Sequence, residues 1–358
     1  MPTSFTDRSK DTEKDAVQKG VRLLNEVEKA WLAGVIDGEG SIFLAKISPK
    51  KAKLRRGFYY RPAVIVANSN VALPNRVREV IGRGSVGFCK QKNPRWKDKW
   101  QYLGSGLVVR ELLPQILFYL VVKRRVAEAM LEYLSFVDAN PVDGAMQIPP
   151  GYHAKLDSLY WTVKRLNEKG EKPTDQASGG VSTELSSLEQ TKESRSTGNR
   201  AKPRQMNEPE KAWLAAVVDG EGSIFLSKVR HPNYRRGFFY GPQLGVSNTN
   251  RAFLAKLREV VGEGTVSLAK KKDGKWKARW EYQAAAGVLR SILPQIMPYL
   301  IVKRAQAQKM LDFFIYIDDN RIYGLKEVPA GYYDKLDTMY RALKETNRKG
   351  RLAKKTEN

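Results

Sequence analysis

Two stretches of the chain share one pattern of apolar and polar positions: WLAGVIDGEGSIF at 31–43 and WLAAVVDGEGSIF at 213–225. Trp31, Leu32, Val35 and Ile36 recur at helical spacing, as do Trp213, Leu214, Val217 and Val218. The glycines of Gly38-Glu39-Gly40 and Gly220-Glu221-Gly222 predict that each helix breaks off and turns into the β-rich run behind it. Downstream of the first copy, SIFLAKI (41–47) and YYRPAVIVAN (59–68) read as strands, with Pro62 near the start of the second, where a missing donor is tolerated. LPNRVREVIG (73–82) reads as a short helix closed by glycine. GSVGFCK (84–90) and KWQYLGSG (99–106) read as two more strands joined by a basic hairpin. Residues 107–138 are predicted helical on both sides of Pro114, and 151–170 as a last amphipathic helix. The order is α-β-β-α-β-β-α plus a tail helix.

The second half repeats the first. GFYYRPAVIVANSN answers to GFFYGPQLGVSNTN, FYLVVKRRVAEAMLEY to PYLIVKRAQAQKMLDF, and PPGYHAKLDSLY to PAGYYDKLDTMY. A repeat this long predicts two copies of one domain related by a pseudo-two-fold axis, not a solenoid. The reading is α+β: domain 1 at 21–168, domain 2 at 208–350, a polar N-terminus (1–20) expected to be disordered and a tail at 351–358. The segment 169–207 has no aromatic residue and is rich in Ser, Thr, Gly, Lys and Glu, the composition of a flexible tether spanning roughly 30–35 Å.

Small residues on the repeated helix (Ala33 and Gly34; Ala215 and Ala216) would let two such helices meet backbone to backbone. Glu39 and Glu221 would then face each other at helix C-termini, a poor place for unpaired carboxylates. A hard divalent cation between them removes both penalties, because Mg²⁺ takes carboxylate oxygens and fills its remaining positions with water and phosphate oxygens. Asp37 and Asp219 lie two positions earlier, point elsewhere, and are read as structural, capping the partner helix. For one copy, a capped amphipathic helix entering a strand is the plainer account; two copies at the heads of equivalent halves favour chemistry.

Charge narrows the partner. Lys and Arg number 63 against 38 Asp and Glu, a net charge of +25, which points to a polyanion and to salt-sensitive affinity. Two histidines, His153 and His231, leave no Cys/His zinc cluster. The single cysteine, Cys89, fits a reducing compartment, either bacterial cytoplasm or an organelle (chloroplast or mitochondrion). No apolar run reaches membrane-spanning length, so no membrane partner is expected.

The two repeated stretches resemble the motif of the LAGLIDADG homing endonucleases, specifically the single-chain, two-motif members, over nearly the whole chain from about Val21 to Gly350. Ala216 replaces the usual glycine, and Glu39 and Glu221 stand where aspartate is common. The resemblance implies two αββαββα domains whose antiparallel strands form a saddle over DNA, with the two motif helices packed at the domain interface. It implies a monomer that makes a staggered cut across the minor groove of a long, non-palindromic double-stranded site, promoting intron mobility. It implies Glu39 and Glu221 as metal ligands for Mg²⁺ or Mn²⁺, with Ca²⁺ expected to bind without supporting cleavage.

Two further layers follow from the same resemblance. A polar side chain ending the second strand orders water near the metal; Asn68 and Asn248 match, although glutamine is more usual, and an Asn at a strand end is equally a turn former. A lysine heading the long helix stabilises developing charge; Lys123 and Lys303 match, the alternative being a solvated or phosphate-contacting lysine. Strands laid in the major groove can read base edges. Candidate contacts are Lys46, Arg55, Arg56, Arg61, Lys90, Lys92 and Lys97, with Lys228, Arg235, Arg236, Lys270, Lys272 and Lys277 in the second half; most should hold phosphate. Strand parity leaves the groove face undecided: Ser41, Phe43 and Ala45 share one side of the first strand, Ile42, Leu44 and Lys46 the other. Trp96, Trp100, Trp276 and Trp280 read as core or hairpin packing more than base stacking. The expected function is metal-dependent double-strand DNA hydrolysis. The alternatives are an RNA-binding intron maturase on the same scaffold, with intron RNA as partner, and a catalytically silent DNA-binding regulator; the intact Glu39 and Glu221 argue against a pure maturase and leave a dual function open.

Overall fold

Asn25 and Asn207 start the two central helices in the same way. Each side chain accepts from the N–H three residues on, Glu28 and Glu210, whose carboxylates accept the asparagine N–H in return, a reciprocal box that satisfies donors the helix leaves orphaned. The helices α1 (Glu26–Glu39) and α6 (Glu208–Glu221) follow. The structure, a computed structural model, describes residues 20–49, 56–91, 93, 96–142, 148–168, 204–269, 278–322 and 328–352; residues 1–19 of the expected disordered N-terminus and 169–203 of the expected tether fall outside them, whereas 204–207, assigned to the tether, belong to the second domain, with Met206 buried and Asn207 capping α6.

The glycines do not break these helices where the sequence suggested. Gly38 and Gly220 remain helical, and the chain runs from Glu39 and Glu221 into extended Gly40 (φ −93°) and Gly222 (φ −82°). The reason is space. A Cβ on Gly40 would lie 2.6 Å from the Ile36 carbonyl oxygen, and one on Gly222 would lie 2.5 Å from that of Val218.

In the first half, β1 (Gly40–Ile47), β2 (Tyr59–Asn68), α2 (Ala72–Ile81), β3 (Ser85–Cys89), β4 (Lys99–Ser105), α3 (Leu107–Ile116), α4 (Arg124–Ala139) and α5 (Tyr152–Glu168) complete the domain. The second half repeats it with β5 (Gly222–Arg230), β6 (Phe238–Asn248), α7 (Arg251–Val261), β7 (Thr265–Ala269), β8 (Arg279–Ala285), α8 (Ala286–Ile296), α9 (Arg304–Asp319) and α10 (Tyr332–Leu352). Each half holds an antiparallel four-stranded sheet, ordered β1-β2-β4-β3 and β5-β6-β8-β7. Asn167 and Asn347 donate to the Ile42 and Ile224 carbonyls, occupying acceptors on the edge strands β1 and β5 that would otherwise invite pairing. Pro62 sits in a central strand, opposite Leu44. Its carbonyl accepts from Gly106 N–H just past the end of β4, so its missing donor points to where the ladder has ended.

Burial settles the parity that the sequence left open. Ile42, Leu44, Val64, Val66 and Tyr102 are buried under the helices, as are Ile224, Leu226, Leu244, Val246 and Tyr282. Ser41, Phe43, Ile65 and Leu103 therefore line the opposite, helix-free face, and Ser223, Phe225, Gln243 and Gln283 line its counterpart. The central helices cross in close contact, and each plugs the other's core: Ala30 packs with the second half, Ala212 and Ala216 with the first.

The long helical run also differs from expectation. Pro114 lies inside α3, and the chain leaves the helix only after a 3₁₀ turn at Leu117–Tyr119. The break belongs to buried Asp37, whose carboxylate accepts from the Val121 and Lys123 N–H groups at 2.7 and 2.8 Å. Asp219 does the same for Ile301, Val302 and Lys303. These aspartates cap the entry to α4 and α9 of their own halves, not the partner helix, because two residues of helix turn them about 200° away from the crossing.

Candidate active site

Gly38 and Gly220 bring the crossing helices into backbone contact; a Cβ on Gly220 would lie 3.8 Å from Gly38 Cα and 3.2 Å from Glu39 Cγ. One residue further, Glu39 and Glu221 project from the two helix ends. Burial, and then the neighbouring Glu221 charge, push Glu39 up to about 7. Burial raises Glu221 as well, opposed by Lys123 and Lys303. Both lysines are themselves lowered by burial. Their Nζ atoms donate at 3.2 Å to the carbonyl oxygens of Asp37 and Asp219, which fixes each ammonium beside the helix end it serves. The halves are interlocked electrostatically, since Lys303 of the second half opposes the rise of Glu39 in the first.

Asn68 Nδ2 donates to Glu39 Oε1 at 3.0 Å, while its Oδ1 accepts from Asn70 N–H at 2.8 Å. Both readings of this residue therefore hold at once: it forms the turn and it steadies the carboxylate. Asn248 makes the turn contact, to Asn250 N–H at 2.9 Å; among the described contacts it has none with Glu221.

Several candidate DNA contacts lie elsewhere. Lys46 and Lys228 fall on the helix side of their sheets, each 3.8 Å from the centroid of Phe58 or Phe238. Arg56 grips both carboxylate oxygens of Asp157 at 2.6 Å, and Arg236 pairs with Asp337. Arg56 and Arg236 thereby tie α5 and α10 to the sheets, while position 46 shares parity with Ile42 and Leu44, so all four side chains are engaged away from the open face. Arg61 keeps its place on the open face, opposite Ala45, and Lys90, Lys97 and Arg235 are exposed. Arg55, Lys92, Lys270, Lys272, Trp276 and Lys277 lie outside the described residues. Trp100 packs edge-on against Phe88, and Arg251 lies over Trp280.

A cavity of about 770 Å³ opens beside Glu39, lined by Asn68, Lys97, Lys303 and Gln306 and, from β5, by Ser223 and Phe225 of the open face. The cavity thus joins the acidic centre to the edge of β5, between open-face Ser223 and Phe225 and the α10 residues Tyr340, Leu343 and Asn347. Two residues here escaped the sequence. Lys99, the first residue of β4, lowers Glu39 electrostatically, but its counterpart Arg279 made it look like one more basic strand end. Gln306 replaces Val126 of the first half, the one visible signal.

As a cation site, the pair supplies hard carboxylate oxygens. No third Asp, Glu, His or Cys joins it among the described residues, which leaves the remaining positions to water, backbone and phosphate oxygens. That is the coordination habit of Mg²⁺, and the donor set fits it.

No protein-family model matches the chain. The curated protein DNA endonuclease I-CvuI of Chlorella vulgaris is 34% identical over 103 residues, 28% of this chain; the match spans 60% of that protein's length. Among solved structures, the LAGLIDADG homing endonuclease I-SmaMI bound to cleaved DNA superposes with a TM-score of 0.59 at 18% identity, covering 93% of this chain and all of that one. I-LtrWI bound to target DNA, of the same family, gives 0.59 at 15% identity, covering 88% and 97%. I-SmaMI bound to an uncleaved target in the presence of calcium ions gives 0.58 at 16% identity, covering 90% and 99%. The fold is that of the LAGLIDADG homing endonucleases.

Proposed function

We propose that this chain is a single-chain LAGLIDADG homing endonuclease that hydrolyses both strands of a long, non-palindromic DNA duplex with a divalent cation held by Glu39 and Glu221. One observation carries the reading: two carboxylates from equivalent helices converge on the pseudo-two-fold axis, each raised by burial, with Lys123 and Lys303 buried beside them. A structural role alone would not explain burying four ionisable groups where Gln and Met would be cheaper to desolvate. Their clustering in a cleft is the usual mark of chemistry.

Glu39 and Glu221 would hold a divalent cation, which would supply charge neutralisation at the scissile phosphate and a more nucleophilic water. The chain's own groups do the rest. Asn68 holds Glu39 in one orientation. Lys123 and Lys303, fixed by their carbonyl contacts, present ammonium groups where negative charge develops on the phosphate. The partner helices position both acids without a loop, so little reorganisation remains at the moment of reaction. Mg²⁺ or Mn²⁺ suits two hard oxygens, and Ca²⁺ should bind without supporting cleavage.

The open faces support a non-palindromic target. Across the first sheet one row reads Ser41, Ile65, Leu103, Ser85; across the second it reads Ser223, Gly245, Gln283, Thr265. The next rows are Phe43, Ala63, Ser105 and Phe225, Gln243, Ala285. Apolar edges suit thymine methyls, and amides suit adenine, so the halves ask for different bases. Selection of cleaved sites from a randomised duplex library, followed by plasmid cleavage in Mg²⁺, tests the proposal. Glu39→Gln and Glu221→Gln should abolish cleavage and keep target binding in Ca²⁺. Linearisation by the double variant, or a perfect palindrome among selected sites, would overturn it.

A further inference from the structure

Among the described residues, one buried side-chain polar atom has no hydrogen-bond partner: the amide oxygen of Gln306. Buried polar atoms are nearly always satisfied, and an exception calls for an explanation such as a bound water. Gln306 sits one helical turn after Lys303, on the same face of α9, and lines the cavity that holds Glu39, Asn68, Lys97 and Lys303. The equivalent position of the first half is Val126, 4% exposed and packed in the core. The orphan acceptor therefore exists on one side of the pseudo-two-fold axis only. A second asymmetry accompanies it: Asn68 donates to Glu39, whereas the described contact of the Asn248 side chain is to the Asn250 N–H.

We propose that Gln306 is a positioning residue for one of the two strand cuts: its amide oxygen accepts a hydrogen bond from the water that attacks the phosphate seated beside Glu39. This rests on the nuclease reading above. In the step, the water oxygen forms a bond to phosphorus as one phosphate–sugar ester bond breaks. One water proton is released and the departing sugar oxygen takes one up. Gln306 holds the other O–H of the water and exchanges no proton. The cut served by Lys123 and Val126 has no such acceptor, so the two strands are cut at unequal rates.

The test uses the full chain on a duplex selected as above, with the two strands labelled separately, and three variants. Gln306→Met keeps the volume without the acceptor, Gln306→Val copies the first half, and Gln306→Asn keeps the amide on a shorter stem. In Mg²⁺ the wild-type protein should nick one strand first. Gln306→Met and Gln306→Val should slow one strand at least tenfold and leave the other within twofold, so that nicked circles accumulate. Gln306→Asn should recover part of the rate. Target affinity in Ca²⁺ and the unfolding midpoint should not fall, because the variants remove an unsatisfied atom; a purely structural role would lower both. If Gln306→Met cuts both strands at wild-type rates, or slows both equally, the proposal fails while the nuclease reading stands. If the wild-type protein cuts neither strand in Mg²⁺, both fail.

Discussion

Gly34 and Ala216 occupy equivalent places on the two crossing helices, and there is room for one Cβ between them. A Cβ at Gly34 would lie 2.9 Å from Ala216 Cβ and 2.9 Å from the Trp213 carbonyl oxygen, against an ordinary carbon–carbon separation of about 3.5–4.0 Å. Gly34→Ala must therefore spread the helices by several tenths of an ångström. Overpacking of this kind costs about 1–3 kcal/mol, partly offset by the roughly 1 kcal/mol that alanine gains over glycine inside a helix. The net expectation is a loss of about 0–2 kcal/mol. Ala216→Gly should cost about 2 kcal/mol, from helix propensity together with one buried methyl. The double exchange removes the Cβ–Cβ collision and keeps the one with Trp213, so it should be less destabilised than the sum of the singles by about 1 kcal/mol. Urea unfolding of the four proteins measures this cycle. Cleavage adds a functional readout, because Glu39 and Glu221 lie five residues further along the same helices, roughly 7.5 Å from the perturbed crossing. Gly34→Ala should reduce cleavage more than target binding. A Gly34→Ala protein as stable and active as wild type, or strictly additive energies in the cycle, would refute the claim that this contact sets the separation of the acids.

Glu39, raised to about 7, is neutral in acid, so in the metal-free protein its contribution to stability is fully present below its unfolded pKa and is lost as pH rises through about 7. Added Ca²⁺ should accordingly raise the unfolding midpoint more at pH 8 than at pH 5.5, and Glu39→Gln should abolish most of that difference; an equal shift at both pH values would remove Glu39 from the site. Asp37→Asn turns one acceptor of the α4 cap into a donor facing a backbone N–H, and should cost about 2–4 kcal/mol, read by urea unfolding; a neutral result would mean that the cap is dispensable. Glu281, by its register between Ser247 and Ser267, is the acid on the open faces among the described residues. Its carboxylate suits the amino group of cytosine, so Glu281→Gln should change base preference at one position of the second half-site, and a uniform gain across all positions would show charge relief alone.

The sequence by itself determined the repeat, the element order and the two acids. The strand at 59–68 and the helices after 72 and 152 could be placed within a residue or so, because amphipathic spacing and terminal glycines are local signals. The family resemblance singled out Lys123 and Lys303, and their recurrence at the heads of equivalent helices favoured that choice. What tertiary structure decided is the company these residues keep. Parity in a strand says which residues share a face but not which face meets the core, so Lys46 and Arg56 read as groove contacts until Phe58 and Asp157 were found beside them. Asp37 read as a cap for the partner helix, and only the fold brings Val121 and Lys123 of its own half to its carboxylate. Gly38 reads as a helix breaker on propensity alone; the approach of the partner helix makes it a spacer. Gln306 reads as one more polar residue of an amphipathic helix, because an unsatisfied amide is a property of the packed surroundings. Local sequence fixes periodicity and turns through neighbours a few residues apart, whereas burial, and with it the raised Glu39 and the lowered Lys303, exists only once two halves 182 residues apart exclude water from the same place.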